Sequence, residues 1–211
     1  MVREPHRGSH DRETIYKILD EGFVCHVGFS VDAQPYVIPT MFARVENDIY
    51  FHGSAASRML RNLSAGLSVC VTVTLADGLV LARSVFNHSM NYRSVVALGT
   101  ALLIDQPEEK LAALRAFTEK ILPGRWKDAR TPSEKELKAT SILRLPLTEV
   151  SAKMRMGPVE DDAPDYELNV WAGVIPLRLT PGPPVRDERC DPSIPVPRYA
   201  EHYTRESSQP E

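Results

Sequence analysis

Residues Ile49–Leu63 read IYFHGSAASRMLRNL. Ile49–His52 is apolar and aromatic, as a strand requires. Gly53–Ala56 is a loop of small residues, and from Ser57 onward Met59, Leu60 and Leu63 fall at helical spacing. A strand that passes through such a loop into a short helix leaves free backbone N–H groups at the helix start. Ser54 and Ser57 can cap or donate there, and Arg58 adds a cation with bidentate geometry. The combination suits an anion such as a phosphate. Taken alone, the stretch reads more simply as a capped surface helix with ordinary arginines, so the rest of the chain has to decide.

Upstream, Phe23–Val31 alternates, with Phe23, Cys25, Val27, Phe29 and Val31 on one face and Val24, His26, Gly28 and Ser30 on the other. Asp32-Ala33-Gln34 turns the chain into PYVIPTMFARV (Pro35–Val45), apolar on both faces. Asn47-Asp48 turns it back into Ile49–His52, completing an antiparallel meander. Downstream, Leu67–Leu75 alternates strictly, Asp77-Gly78 is expected to break it, and Leu79–Arg83 is ambiguous between strand and helix. Tyr92–Ile104 and Ser141–Met154 (interrupted near Pro146) are further strands, and Asn169–Leu179, around Trp171, is the last.

Helices are few. Asp11 precedes one that stops at Gly22, with Ile15, Ile18 and Leu19 inward. Asp105 is expected to cap a second, with Pro107 at its first position and Leu111, Leu114, Phe117 and Ile121 on its core face. Thr131-Pro132-Ser133-Glu134 has capping-box spacing for a third, reaching about Ala139. About six strands in meanders with few helices predict a mainly β fold, a closed antiparallel barrel with peripheral helices. A Rossmann fold is excluded, since no GxGxxG follows the first strand. Residues 1–10 read as a flexible arm and 11–180 as one domain. Residues 181–211 are a proline-rich tail, with proline at 181, 183, 184, 192, 195, 197 and 210.

Composition narrows the function. The chain has 211 residues, 43% hydrophobic and 25% charged, with a net charge of −3 and no basic block, so nucleic-acid binding has no electrostatic footprint. The polar N-terminus has no apolar secretory core, and no apolar run approaches the roughly 20 residues of a membrane span. Cys25, Cys70 and Cys190 are odd in number and far apart, which fits a reducing cytoplasm.

Three further features bear on chemistry. Asn91, Tyr92, Arg93 and Ser94, in SMNYRSVVALG, cluster four hydrogen-bonding side chains at a strand entry. They suit a heteroaromatic edge or a phosphate, or form an ordinary polar strand end. Trp171, followed by Ala172-Gly173, can lie flat on a planar ligand or sit in the core. His26, His52 and His88 lie in or beside strands, but their spacing matches no metal motif, and a neutral hydrogen-bonded role is the simpler reading. There is no GxSxG elbow and no Walker glycine loop, so a redox cofactor would have to supply the chemistry.

Taken in order, FHGSAASRM, SMNYRSVV and VWAGVIPL resemble the FMN-binding split-barrel family related to pyridoxamine 5′-phosphate oxidase, in particular its nitroimidazole-resistance-like branch, over about residues 12–180. The resemblance implies a six-stranded antiparallel split barrel and a homodimer with FMN in its interface. It places His52, Gly53 and Ser54 along the flavin and ribityl chain, and Ser57 and Arg58 on the phosphate. Asn91, Tyr92, Arg93 and Ser94 would line the ring or phosphate side, and Ile38, Pro39 and Thr40 the isoalloxazine edge. Trp171 would come from the other subunit to cover the flavin. The oxidases carry Trp-Gly-Gly followed by Arg and Pro, whereas this chain has Trp171-Ala172-Gly173 with no arginine in register, and Met59 stands where they have a basic residue. Oxidation of pyridoxamine phosphate is therefore not expected. The implied function is an FMN oxidoreductase taking electrons from a reduced nicotinamide to a small acceptor such as a nitro-compound, a quinone or oxygen. A non-catalytic flavin carrier or sensor, and a haem-binding split barrel using His26, His52 or His88, are the alternatives.

Overall fold

The computed structural model describes residues 7–204. Its strands are β1 (Gly8–Ser9), β2 (Val24–Val31), β3 (Gln34–Val45), β4 (Asp48–Ser54), β5 (Ser68–Leu81), β6 (Ser89–Thr100), β7 (Leu102–Leu103), β8 (Thr140–Pro146), β9 (Glu149–Arg155) and β10 (Gly173–Pro176). The helices are α1 (Arg12–Glu21), α2 (Arg58–Ser64), α3 (Pro107–Ile121), α4 (Arg125–Asp128), α5 (Glu134–Ala139) and α6 (Arg198–Glu201). All strand pairs are antiparallel, in the order β1-β9-β6-β5-β2-β3-β4-β8-β7, with β10 added to β5. β8 and β9 lie near opposite ends of that order, yet only Leu147 and Thr148 separate them in the chain. So short a link spans at most about 10 Å, which forces the sheet to curl until its ends meet. That is a split barrel.

The alternating residues of the strands fill its interior. Cys25, Val27, Phe42, Ile49, Phe51, Val69, Val71, Val73, Val95, Leu143 and Leu145 are buried together, and α1 closes one end with Ile15, Ile18 and Leu19. β3 is apolar on both faces because both are used. Phe42 points into the barrel, while Ala43 packs outward with Tyr50, Ile142, Ala113 and Phe117 under α3. The two-residue turn at Asp32 and Ala33, both at positive φ, sets the β2–β3 register and places Phe29 opposite Tyr36.

Several expectations are corrected. The strand count is somewhat more than six and compatible with the expected barrel: β1 and β7 are short additions, and the expected interruption near Pro146 divides the penultimate strand into β8 and β9. Within the expected flexible arm, Gly8–Ser9 pairs with β9 and His10 Nδ1 lies 3.2 Å from the Val150 carbonyl; residues 1–6 lie outside the described residues. Asp77-Gly78 does not end β5. The strand absorbs the extra residue as a bulge and continues to Leu81, so Leu79–Leu81 is strand.

The cap of α3 is Gln106, without a side-chain bond, and its buried residues are Ala113 and Phe117, with Ile121 exposed. The stripe rotates toward Ala113 because the helix lies on a narrow patch rather than a broad core. The capping box of α5 is Ser133 with Glu136, two residues beyond the expected Thr131–Glu134. The last strand is only Gly173–Pro176, leaving Trp171 outside it. Among the described residues, no helix is long and apolar enough to cross a membrane, and no group of three or more His, Cys, Asp or Glu is placed to hold a metal ion.

Candidate functional site

The β4–α2 loop is anchored at both ends. Ala55 N donates to the Ala139 carbonyl at 2.9 Å, and Ser57 N to the Ser54 carbonyl at 2.8 Å. Ser57 is the N-cap of α2, its Oγ accepting from Leu60 N, while the Ser54 hydroxyl accepts from Ala56 N. Leu60 and Leu63 sink into the core, so the start of α2 is fixed against the barrel with Arg58 exposed. The Arg58 guanidinium lies over the Tyr36 ring, 4.9 Å from its centroid, and Tyr36 in turn stacks on Phe29 at 5.4 Å. A cation on an aromatic face is oriented without losing its N–H donors, which remain free for an anion.

From Tyr36 the third strand runs through Val37, Ile38, Pro39 and Thr40. The first three are exposed and Thr40 is half-buried, although most of the stretch is apolar. Tyr36 to Thr40 is four residues, about 13 Å at strand rise. A cationic, hydroxyl-bearing end thus adjoins an apolar edge of the length of an extended small molecule. Of the residues singled out from the sequence, the structure brings Ser54, Ser57 and Arg58 together and aligns Ile38, Pro39 and Thr40 beside them.

The others stand differently. Gly53 faces Leu60. His52 points toward α3, edge-on to Phe117 at 4.3 Å. Its Nδ1 is buried without a hydrogen bond, and burial holds the imidazole below its usual pKa, so it is neutral at pH 7. Asn91 donates to the Gly157 carbonyl and accepts from Arg155, and the Ser94 hydroxyl donates to the Lys153 carbonyl. Tyr92 is half-buried between Ala76 and Arg155.

Arg93 corrects the expectation most clearly. It is 3% exposed, and its guanidinium makes paired bonds to Asp77 (2.8 and 2.8 Å) and Glu21 (2.6 and 2.9 Å). Burial works against the cation, but the bonds to Asp77 and Glu21 outweigh it and raise its pKa. Its donors face into the fold, where they tie α1, the β5 bulge and β6 together. Trp171 is 67% exposed, and its indole leans on Gly173, where a Cβ would come within 2.8 Å of the ring. The small residue after the tryptophan therefore seats the tryptophan itself and leaves its other surface open.

The sequence reading missed Tyr36, the platform under Arg58. The signal was present: a two-residue turn at Asp32-Ala33 pairs Phe29 with Tyr36, two aromatics on one barrel face. His26, on the outer face of β2 opposite Pro39 and Thr72, makes no hydrogen bond to a described residue.

Residues 11–154 match the family model described as pyridoxamine 5′-phosphate oxidase. The flavocytochrome Anf3 from Azotobacter vinelandii is 40% identical, with a TM-score of 0.90, over 95% of this chain and 93% of that one. The FAD and heme binding protein from Mycobacterium smegmatis is 34% identical, with a TM-score of 0.90, over 94% of this chain and 97% of its own. A putative 5-nitroimidazole antibiotic resistance protein from Bacteroides thetaiotaomicron, 23% identical with a TM-score of 0.57 over 69% of this chain and 85% of that one, shares the fold. No curated protein matches the sequence.

Proposed function

The chain belongs to the pyridoxamine 5′-phosphate oxidase family, and on that footing we propose that it is a dimeric flavin-binding oxidoreductase that also takes haem. The observation that carries the flavin reading is Arg58, held over Tyr36 beside the capped start of α2, at the head of the exposed Val37–Thr40 edge. Ser57 and Arg58 hold the phosphate, Ser54 borders the ribityl arm, and Ile38, Pro39 and Thr40 border the ring. Bound flavin would supply the acceptance and release of electrons.

The dimer reading is supported by apolar side chains on the outer surface of the sheet, where Val24, Val37, Met41, Leu79, Met90 and Ile175 are exposed. The same packing of a second copy would let the exposed Trp171 of one subunit cover the ring bound to the other. The donor is a reduced nicotinamide and the acceptor a small oxidant.

A specific observation favours haem as the second group. Both relatives at 34–40% identity, matched over nearly their whole length, are named for haem and flavin together, and one is named for FAD rather than FMN. The reading is tested by purifying the protein, recording its spectrum, and identifying by chromatography the flavin released on denaturation. A colourless protein that takes up neither FMN nor FAD overturns the flavin reading. Anaerobic bleaching by NADH or NADPH separates an oxidoreductase from a carrier, and a monomeric flavin-loaded protein in light scattering refutes the dimer.

A further inference from the structure

The turn between β5 and β6 carries a histidine that the flavin site does not use. His88 is exposed, and its Nδ1 lies 2.9 Å from the Ser84 carbonyl. A carbonyl can only accept, so Nδ1 carries the proton, and in the neutral ring the lone pair is on Nε2. Nε2 makes no hydrogen bond to a described residue. This is the arrangement of a metal-ligating imidazole, with one nitrogen tethered to a backbone carbonyl and the other available.

The tether is itself held. The Asp161 carboxylate, whose side chain has no exposed surface, accepts from Arg83 N at 3.1 Å and Ser84 N at 3.3 Å, and from the Arg83 guanidinium. Burial pushes Asp161 up, yet these bonds outweigh it and leave its pKa below the usual value. The Ser84 hydroxyl accepts from Phe86 N, closing the 3₁₀ turn Val85–Asn87. The imidazole thus stands on a braced turn.

Beyond Asn87 and Ser89, which flank it, the turn carries apolar side chains open to solvent. Val85 is 86% and Phe86 88% exposed, and Met90 is 39% exposed. No other histidine among the described residues combines these features. His10 shares the tethered nitrogen, but no apolar side chain lies within three positions of it, its neighbours being Arg7, Gly8, Ser9, Asp11, Arg12 and Glu13. His52 is packed against Phe117, His26 has no tether, and His202 sits beside Glu201. A flat, largely apolar macrocycle with an iron at its centre matches a tethered imidazole on a turn that also carries exposed apolar side chains.

We propose that His88 is an axial ligand of haem iron through Nε2. The inference rests on the haem reading above. The test adds haemin to the full-length protein and follows the visible spectrum and electron paramagnetic resonance. The wild type is expected to bind haem with a histidine-ligated signature. His88→Ala, checked for fold by circular dichroism, should bind haem at least tenfold more weakly and change its Soret position and spin state. His88→Met should give a different ligand signature, and added imidazole should restore the wild-type spectrum in His88→Ala. His10→Ala and His26→Ala should leave the spectrum unchanged. A wild type that binds haem and a His88→Ala protein with an identical spectrum overturn the ligand assignment while the haem reading stands. A wild type that takes up no haem overturns both.

Discussion

Replacing Arg93 removes the cation between two carboxylates that the fold has largely taken out of water. Arg93 is 4% exposed at its side chain, Glu21 13% and Asp77 8%. Deleting one partner of a buried ion group leaves uncompensated charge, at a cost of about 3–5 kcal/mol. For a chain of this size each kcal/mol moves the melting midpoint by about 2–4 °C, so Arg93→Met, which keeps most of the volume, should melt about 6–20 °C below wild type. The origin of that loss can be separated from packing. The triple variant Arg93→Met, Glu21→Gln, Asp77→Asn removes the whole charged group, and neutralising such a group is far less costly than orphaning its members. It should therefore recover most of the loss. The assay is urea unfolding of the three proteins at pH 7.5, with flavin affinity of the folded triple variant as a second readout. An Arg93→Met loss under about 1 kcal/mol, or a triple variant no better than the single, refutes the clamp. A folded triple variant that no longer binds flavin would return Arg93 to the cofactor site.

Other consequences are as direct. Arg58→Ala should weaken flavin binding by roughly 1.5–3 kcal/mol, the scale of a charge-assisted bond, as measured by fluorescence titration; unchanged affinity in a folded protein moves the phosphate elsewhere. His52 has a lowered folded pKa through burial, so the unfolded chain takes up a proton near the ordinary value that the folded chain resists, and stability is lost as pH falls below that value. His52→Leu should accordingly gain on wild type in urea unfolding at pH 5.5 relative to pH 7.5; an equal difference at the two pH values counts against a buried neutral imidazole. Burial pushes the Cys25 thiol up to about 12, so it should resist a thiol-specific reagent at pH 8 and react fully only after denaturation. Rapid labelling of Cys25 in the native protein would show that the barrel interior opens.

How far the sequence could be read depends on whether the signal is local. β2 is legible because alternation is a property of neighbouring residues, and Cys25, Val27 and Phe29 are buried as their spacing predicts. The caps Asp11 and Ser57 are legible because a side-chain oxygen reaches only two or three residues along its own chain. The separate strands β1 and β7 and the short extent of β10 were not legible, since each is set by partners far away in sequence; Gly173, for instance, pairs with Leu81. The bulge at Asp77 was read as a break because Asp-Gly is ordinarily a turn signal. Here Asp77 pairs with Arg93, which Glu21 binds as well, and neither residue lies near Asp77 in the chain.

The candidate site divides in the same way. Ser54, Ser57 and Arg58 sit within five residues, so strand, loop and helix start bring them together by local geometry alone. The sequence by itself thus determined an antiparallel barrel with a polar helix entrance beside an apolar strand. Only the tertiary structure decided which polar residues are still free to bind anything. Arg93 and Asn91 look as available in the sequence as Arg58, but the fold encloses them among Glu21, Asp77, Arg155 and the Gly157 carbonyl. Arg58 lies on an exposed aromatic face instead. A guanidinium's partners are set by which distant carboxylates the closing sheet brings within 3 Å, and that distance is not written in local spacing.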